Sequence, residues 1–163
     1  MKFIFITLFL LFLHTSVNAE TKIFKVAYID LKNDFRYTNW GRHPVDIRSS
    51  HNKEQRAVDG ARLGIIDSQK YERITKTKII FEHLRYKDEK KLLKFFQSEF
   101  LKEYNAILLD LNLKNLKNIQ SIIKDNNQVI FFNVSNANNS LRTNGCIDNL
   151  YHTYPSNMMK TDA

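Results

Sequence analysis

Residues 23–30 read IFKVAYID, and the run Val26, Ala27, Tyr28 and Ile29 has no polar alternation. A strand that is apolar on both sides is buried on both faces, a condition met in parallel sheets covered by helices. The same character returns at 79–81, 106–109 and 129–134, so four such strands are expected. Strands of this kind cannot be joined by tight hairpins, because a parallel pair needs a crossover, normally helical.

The crossovers are legible between them. Over 53–68, Ala57, Ala61, Gly64 and Ile65 recur at helical spacing, and Gln55, Arg56, Asp59 and Arg62 are assigned to the outer face. Gly60 and Gly64 each cost about 1 kcal/mol relative to alanine in a helix, which predicts a helix backbone pressed close to the sheet. Over 88–102, Leu92, Leu93, Phe95, Phe96 and Phe100 form an apolar side, with Asp88 as N-cap. Over 113–126, Leu113, Leu116, Ile119, Ile122 and Ile123 do the same. The alternation gives an α/β chain with a doubly wound, mostly parallel sheet. Residues 148–153 supply a short fifth strand, and Ser156 caps a helix beginning at Asn157. A helix of about two turns is marginal by itself, and one face of the sheet is expected to lack its cover there.

The amino terminus reads as a secretion leader. Lys2 is followed by the apolar run 3–13, and Val17-Asn18-Ala19 offers a small-residue exit before Glu20. A run this short falls below the roughly 20 apolar residues that cross a bilayer, so residues 1–19 are expected to be a cleavable signal peptide and the mature protein periplasmic. The remainder suffices for one core and not for two domains of about 100–150 residues.

The chain carries 25 basic and 17 acidic residues, a net charge of +8, but the lysines at 87, 90, 91, 94, 114, 117 and 124 are spread over helix surfaces. Dispersed charge is a solvated surface, and no nucleic-acid partner is expected. Cys146 is the only cysteine, which excludes an internal disulfide; it is expected to be buried as a small hydrophobe. His43, His51, His83 and His152 lack metal-ligand spacing, so no metal is expected. The four glycines, at 41, 60, 64 and 145, form no phosphate-cradling loop, and no cofactor is expected.

In an open parallel sheet, ligands sit beyond the carboxyl ends of the strands, so the informative loops follow Asp30, Leu84, Asp110 and Val134. The loop 31–52 holds Arg36, Tyr37, Trp40, Arg42, His43, Arg48 and His51, aromatic surface between cations that suits a flat or anionic ligand, or a protein partner. Residues 105–111, NAILLDL, resemble the phosphoacceptor strand of receiver domains, but Asp30 is followed by Leu31 and Lys32 instead of an acidic pair. A hydrolase would draw on Ser135 or Ser156 with His152 and Asp148, yet neither serine lies in a Gly-x-Ser-x-Gly elbow. Asn133 and Asn138 each open an Asn-x-Ser tripeptide, a glycan acceptor only on a eukaryotic secretory route.

Residues 129–133, the turn at 138–142, Cys146, His152-Thr153-Tyr154-Pro155-Ser156, Met159 and Asp162-Ala163 resemble, in order and spacing, the type I periplasmic substrate-binding proteins of branched-chain amino acid ABC transporters. The likeness is nearest to the binding proteins associated with PQQ-dependent alcohol dehydrogenase systems. Asp59-Gly60-Ala61-Arg62-Leu63-Gly64-Ile65 is similar to the first helix of that family. The resemblance implies a non-enzymatic lobe of a two-lobed clamp for a small-molecule solute, truncated before the second lobe, with ABC transporter membrane subunits and a periplasmic dehydrogenase as partners. It implies ligand contacts from Asn133, Ser135 and Ser156, whose amide could meet a carboxylate, and from Asp110, which could accept an amine. The competing reading is a periplasmic interaction module that uses Trp40 and Arg42 and takes no small ligand.

Overall fold

A computed structural model describes residues 20–37, 56–143 and 146–162. The leader, Trp40, Arg42, His43, Arg48 and His51 lie outside the described residues. Five strands, β1 (Lys22–Leu31), β2 (Thr77–Tyr86), β3 (Ala106–Asp110), β4 (Ile130–Asn133) and β5 (Leu150–His152), form one sheet in the order β2-β1-β3-β4-β5. Every pairing is parallel. The α/β expectation therefore holds.

Register sorts the side chains between two faces. On one, Ala27, Ile29 and Leu31 of β1, Leu84 of β2, Ile107 and Leu109 of β3 and Phe131 of β4 meet α3 (Glu89–Phe96) and α4 (Leu113–Asp125). Leu92, Phe96, Leu116, Ile119 and Ile123 are sealed there, each side chain stabilising the fold by about 1.5–3 kcal/mol. The opposite face carries Val26, Tyr28 and Asp30 beside Phe81, His83 and Arg85, with α1 (Val58–Gln69) lying over β2. A single turn, α2 (Glu72–Thr75), leads from α1 into β2.

Caps fix the helix ends. Asp88 accepts from the Lys91 amide and Asn112 from that of Asn115. At the other end of α4, the Asn149 amide nitrogen donates to the carbonyls of Ile123 at 2.7 Å and Asn126 at 2.9 Å, satisfying acceptors that a helix terminus leaves bare. The last helix, α5 (Asn157–Thr161), starts as expected, with the Ser156 hydroxyl accepting from Met159.

Four expectations need correction. The helix begun at Asp88 stops at Phe96, because the Ser98 hydroxyl donates to the Phe95 carbonyl and a 3-10 turn (Glu99–Glu103) takes over. Phe100 consequently faces solvent. Gly60 and Gly64 are not pressed on the sheet, since a Cβ added at either would meet nothing within 4 Å. Arg56 is buried instead of outward, two residues ahead of α1, and Cys146 is exposed because Ile147 and Leu150 take the core positions.

Over β4 and β5 the second face is open among the described residues. Ile130 and Tyr151 are exposed, and Phe132 leans on the Tyr151 ring with centroids 5.7 Å apart.

Candidate functional site

Strand order reverses direction between β1 and β3, whose last paired residues are Asp30 and Asp110. Crevices at such a switch point, beyond the carboxyl ends of the strands, are where open α/β sheets hold ligands. Because side chains alternate, Tyr28, Asp30, His83, Arg85, Leu108 and Asp110 share one face, and the polar ones gather at its carboxyl end.

Asp110 is fully buried. Its Oδ2 accepts from the Tyr28 hydroxyl at 2.8 Å, and its Oδ1 from the Tyr37 hydroxyl at 2.8 Å and from Arg36 Nη2 at 3.0 Å. Arg36 is also clamped by Asp34, through Nε and Nη2, and donates from Nη1 to Ser135 Oγ at 2.8 Å. The guanidinium thus ties the loop after β1 to the ends of β3 and β4. Burial and the adjacent Asp110 carboxylate push both the Tyr28 and Tyr37 phenols above their ordinary range, so each remains a donor. For Arg36, burial disfavours the charge, but the hydrogen bond to Asp34 and the charges of Asp110 and Asp34 outweigh it and raise its pKa.

Asp30, also fully buried, gathers a second set: Arg85 through Nε at 3.0 Å and Nη2 at 2.9 Å, Arg56 Nη1 at 3.0 Å and His83 Nε2 at 3.1 Å. Burial raises the Asp30 pKa, yet the bonds from Arg85 and His83 and the charges of Arg56 and Arg85 carry it below the usual carboxylate range. Since the carboxylate only accepts, His83 carries its proton on Nε2, and Nδ1 faces Arg62 at 3.4 Å. Tyr37 joins the two sets: its hydroxyl belongs to Asp110, while Arg56 sits over its ring, 4.2 Å from the centroid.

Scans against protein-family models, curated proteins and solved structures each return no match.

Of the residues expected at the site, Asp110 and Ser135 are brought together through Arg36. Asn133 is not with them: it pairs with Leu109 in register, on the α3 and α4 side, and its amide donates to the Asn136 carbonyl at 2.8 Å and to His152 Nδ1 at 3.0 Å. Burial, followed by the charge of Arg142, lowers the His152 pKa and keeps the ring neutral enough to accept that bond. The Ser156 hydroxyl is engaged as the cap of α5. The serine hydroxyls considered for a hydrolase are thus committed to Arg36 and to a helix end. Among the described residues, no group of three or more His, Cys, Asp or Glu could hold a metal ion, and no helix is long and apolar enough to cross a membrane.

Tyr28, Asp30, Asp34, Arg56, His83 and Arg85 escaped the sequence reading as site residues. The available signal was spacing: Tyr28 with Asp30, and His83 with Arg85, are two apart and share a face at a strand end.

Proposed function

We propose that this chain is the exported solute-binding component of an ABC uptake system, gripping a small polar solute at the switch point between β1 and β3. The observation that carries the reading is the Arg36 bridge from Asp34 and Asp110 to Ser135, which builds a rigid polar floor from three chain segments at the carboxyl edge of the sheet. The strand order is compatible with a type I binding-protein lobe; the family-like motifs from residue 129 onward lie on the β4 and β5 side of that edge, and the Asp59–Ile65 motif lies in α1 over β2. The fold alone supports many functions, so the weight rests on the site.

The floor has unspent capacity for hydrogen bonding. Of about four lone-pair positions on the Asp110 carboxylate, Tyr28, Tyr37 and Arg36 occupy three. Arg36 sends four of its N–H directions to Asp34, Asp110 and Ser135, which leaves one at Nη1. Asp110 is fully buried, so a solute that fits would meet the partly exposed Arg36 instead, bringing an acceptor for it, as the carboxylates of amino acids and hydroxy acids do. The uptake partners are the membrane subunits of the transporter. The link to PQQ-dependent alcohol oxidation and to a periplasmic dehydrogenase follows from the resemblance, and the periplasmic location from the leader at residues 1–19.

The experiment is a thermal-shift series on the exported protein against amino acids, hydroxy acids and short-chain oxidation products of alcohols. A true solute at 100 times its Kd stabilises by about 2.7 kcal/mol, and Arg36→Ala should abolish that shift. No shift across the panel overturns the reading.

A further inference from the structure

The outer face of α1 has a pattern the solute site does not use. Leu63 is 61% exposed and Ile66 58%, and Ile74 of α2, just beyond, is 79% exposed. At about 100° per residue, Asp59, Leu63, Ile66 and Lys70 fall in one stripe along the helix, opposite Ala57, Ala61 and Ile65. The stripe therefore reads acid, apolar, apolar, base.

We propose that this face pairs with the same face of a second copy of the chain, antiparallel, about a two-fold axis passing between Gly64 and Ile65. The order of charges specifies that occupant. Turned end for end, the stripe sets Asp59 against the partner's Lys70 and Lys70 against the partner's Asp59, while Leu63 and Ile66 of both copies cluster between them. This is the self-complementarity that an isologous interface requires. A parallel pairing would place like charges together.

Lys70 contacts Asp67 at 2.8 Å in the monomer, both side chains being well exposed, so it can turn to the partner at little cost.

Sedimentation equilibrium on the exported protein, from micromolar upward, tests the pairing. A concentration-dependent dimer is expected. Leu63→Glu combined with Ile66→Glu should leave a monomer whose circular-dichroism melt is unchanged. Asp59→Lys alone, or Lys70→Asp alone, should weaken the dimer about tenfold or more by placing like charges opposite each other twice, and the two together should restore it. A monomer at all concentrations, or a dimer indifferent to these four substitutions, overturns the proposal, as does a double charge reversal that fails to rescue.

Discussion

Asp30→Ala is expected to cost about 3 kcal/mol of folding stability at neutral pH, read from urea unfolding. Removing one member of a buried ion pair is expensive because the charge left behind keeps its burial and loses its compensation, typically about 3–5 kcal/mol. Here the Arg56 side chain is only 2% exposed, so its charge stays buried, while its bond to the Leu31 carbonyl and its place over the Tyr37 ring remain. Arg85, at 32%, can recover water, which places the expected value at the low end of the range. Asp30→Asn keeps an acceptor without the charge and should fall between the two.

The same residue sets a pH dependence with a definite sign. Because the folded-state pKa of Asp30 is depressed, its contribution is present above the unfolded value near about 4 and disappears as pH falls through the folded value. The stability gap between the wild type and Asp30→Ala should therefore be flat above about pH 5 and shrink below about pH 4. A gap constant down to pH 3 would contradict the assigned role.

The second large effect is at Asp110. Asp110→Ala leaves the Tyr28 hydroxyl, fully buried, without the acceptor it now meets at 2.8 Å, and frees one side of the Arg36 clamp. An orphaned buried donor costs about 1–3 kcal/mol, and with the loss to Arg36 and Tyr37 the total should be about 3 kcal/mol. Tyr28→Phe removes the orphan. A double-mutant cycle with Asp110→Ala should then show a coupling energy of about 1 kcal/mol or more, and a strictly additive pair would show that the bond contributes nothing.

These effects follow from residues that the sequence revealed unevenly. The four doubly apolar runs placed the strands well, since a side chain such as Tyr28 or Ile107 that must be buried on either face leaves little choice of environment. For β2 the apolar run covers only 79–81 and the loop is expected after Leu84, whereas the strand runs to Tyr86; it is an edge strand whose last residues alternate Glu82, Leu84 and Tyr86 on one face with His83 and Arg85 on the other. Polarity there, at His83 and Arg85, belongs to the site.

Asp110 was legible from its place at the end of an apolar strand. Its partners were not, because Tyr28 looks like core in an unbroken apolar run, and the loop pair Arg36 and Tyr37 reaches it across more than 70 residues of sequence. Arg56 was assigned to a solvent face on helical periodicity that does not apply ahead of α1. Asn133 and Ser135 stand two apart at the same strand end, yet the first turns to the core side and only the second reaches Arg36.

The central claim is that a small solute is held at the β1 and β3 crest, and amide chemical-shift mapping of the exported protein during titration with a stabilising solute tests it most directly. The account predicts saturable shifts concentrated at Asp34 to Tyr37, Asp110 to Asn112 and Val134 to Asn136, lost in Arg36→Ala. Shifts confined to α1 or to the exposed face of β4 and β5, with those three segments unmoved, would contradict it.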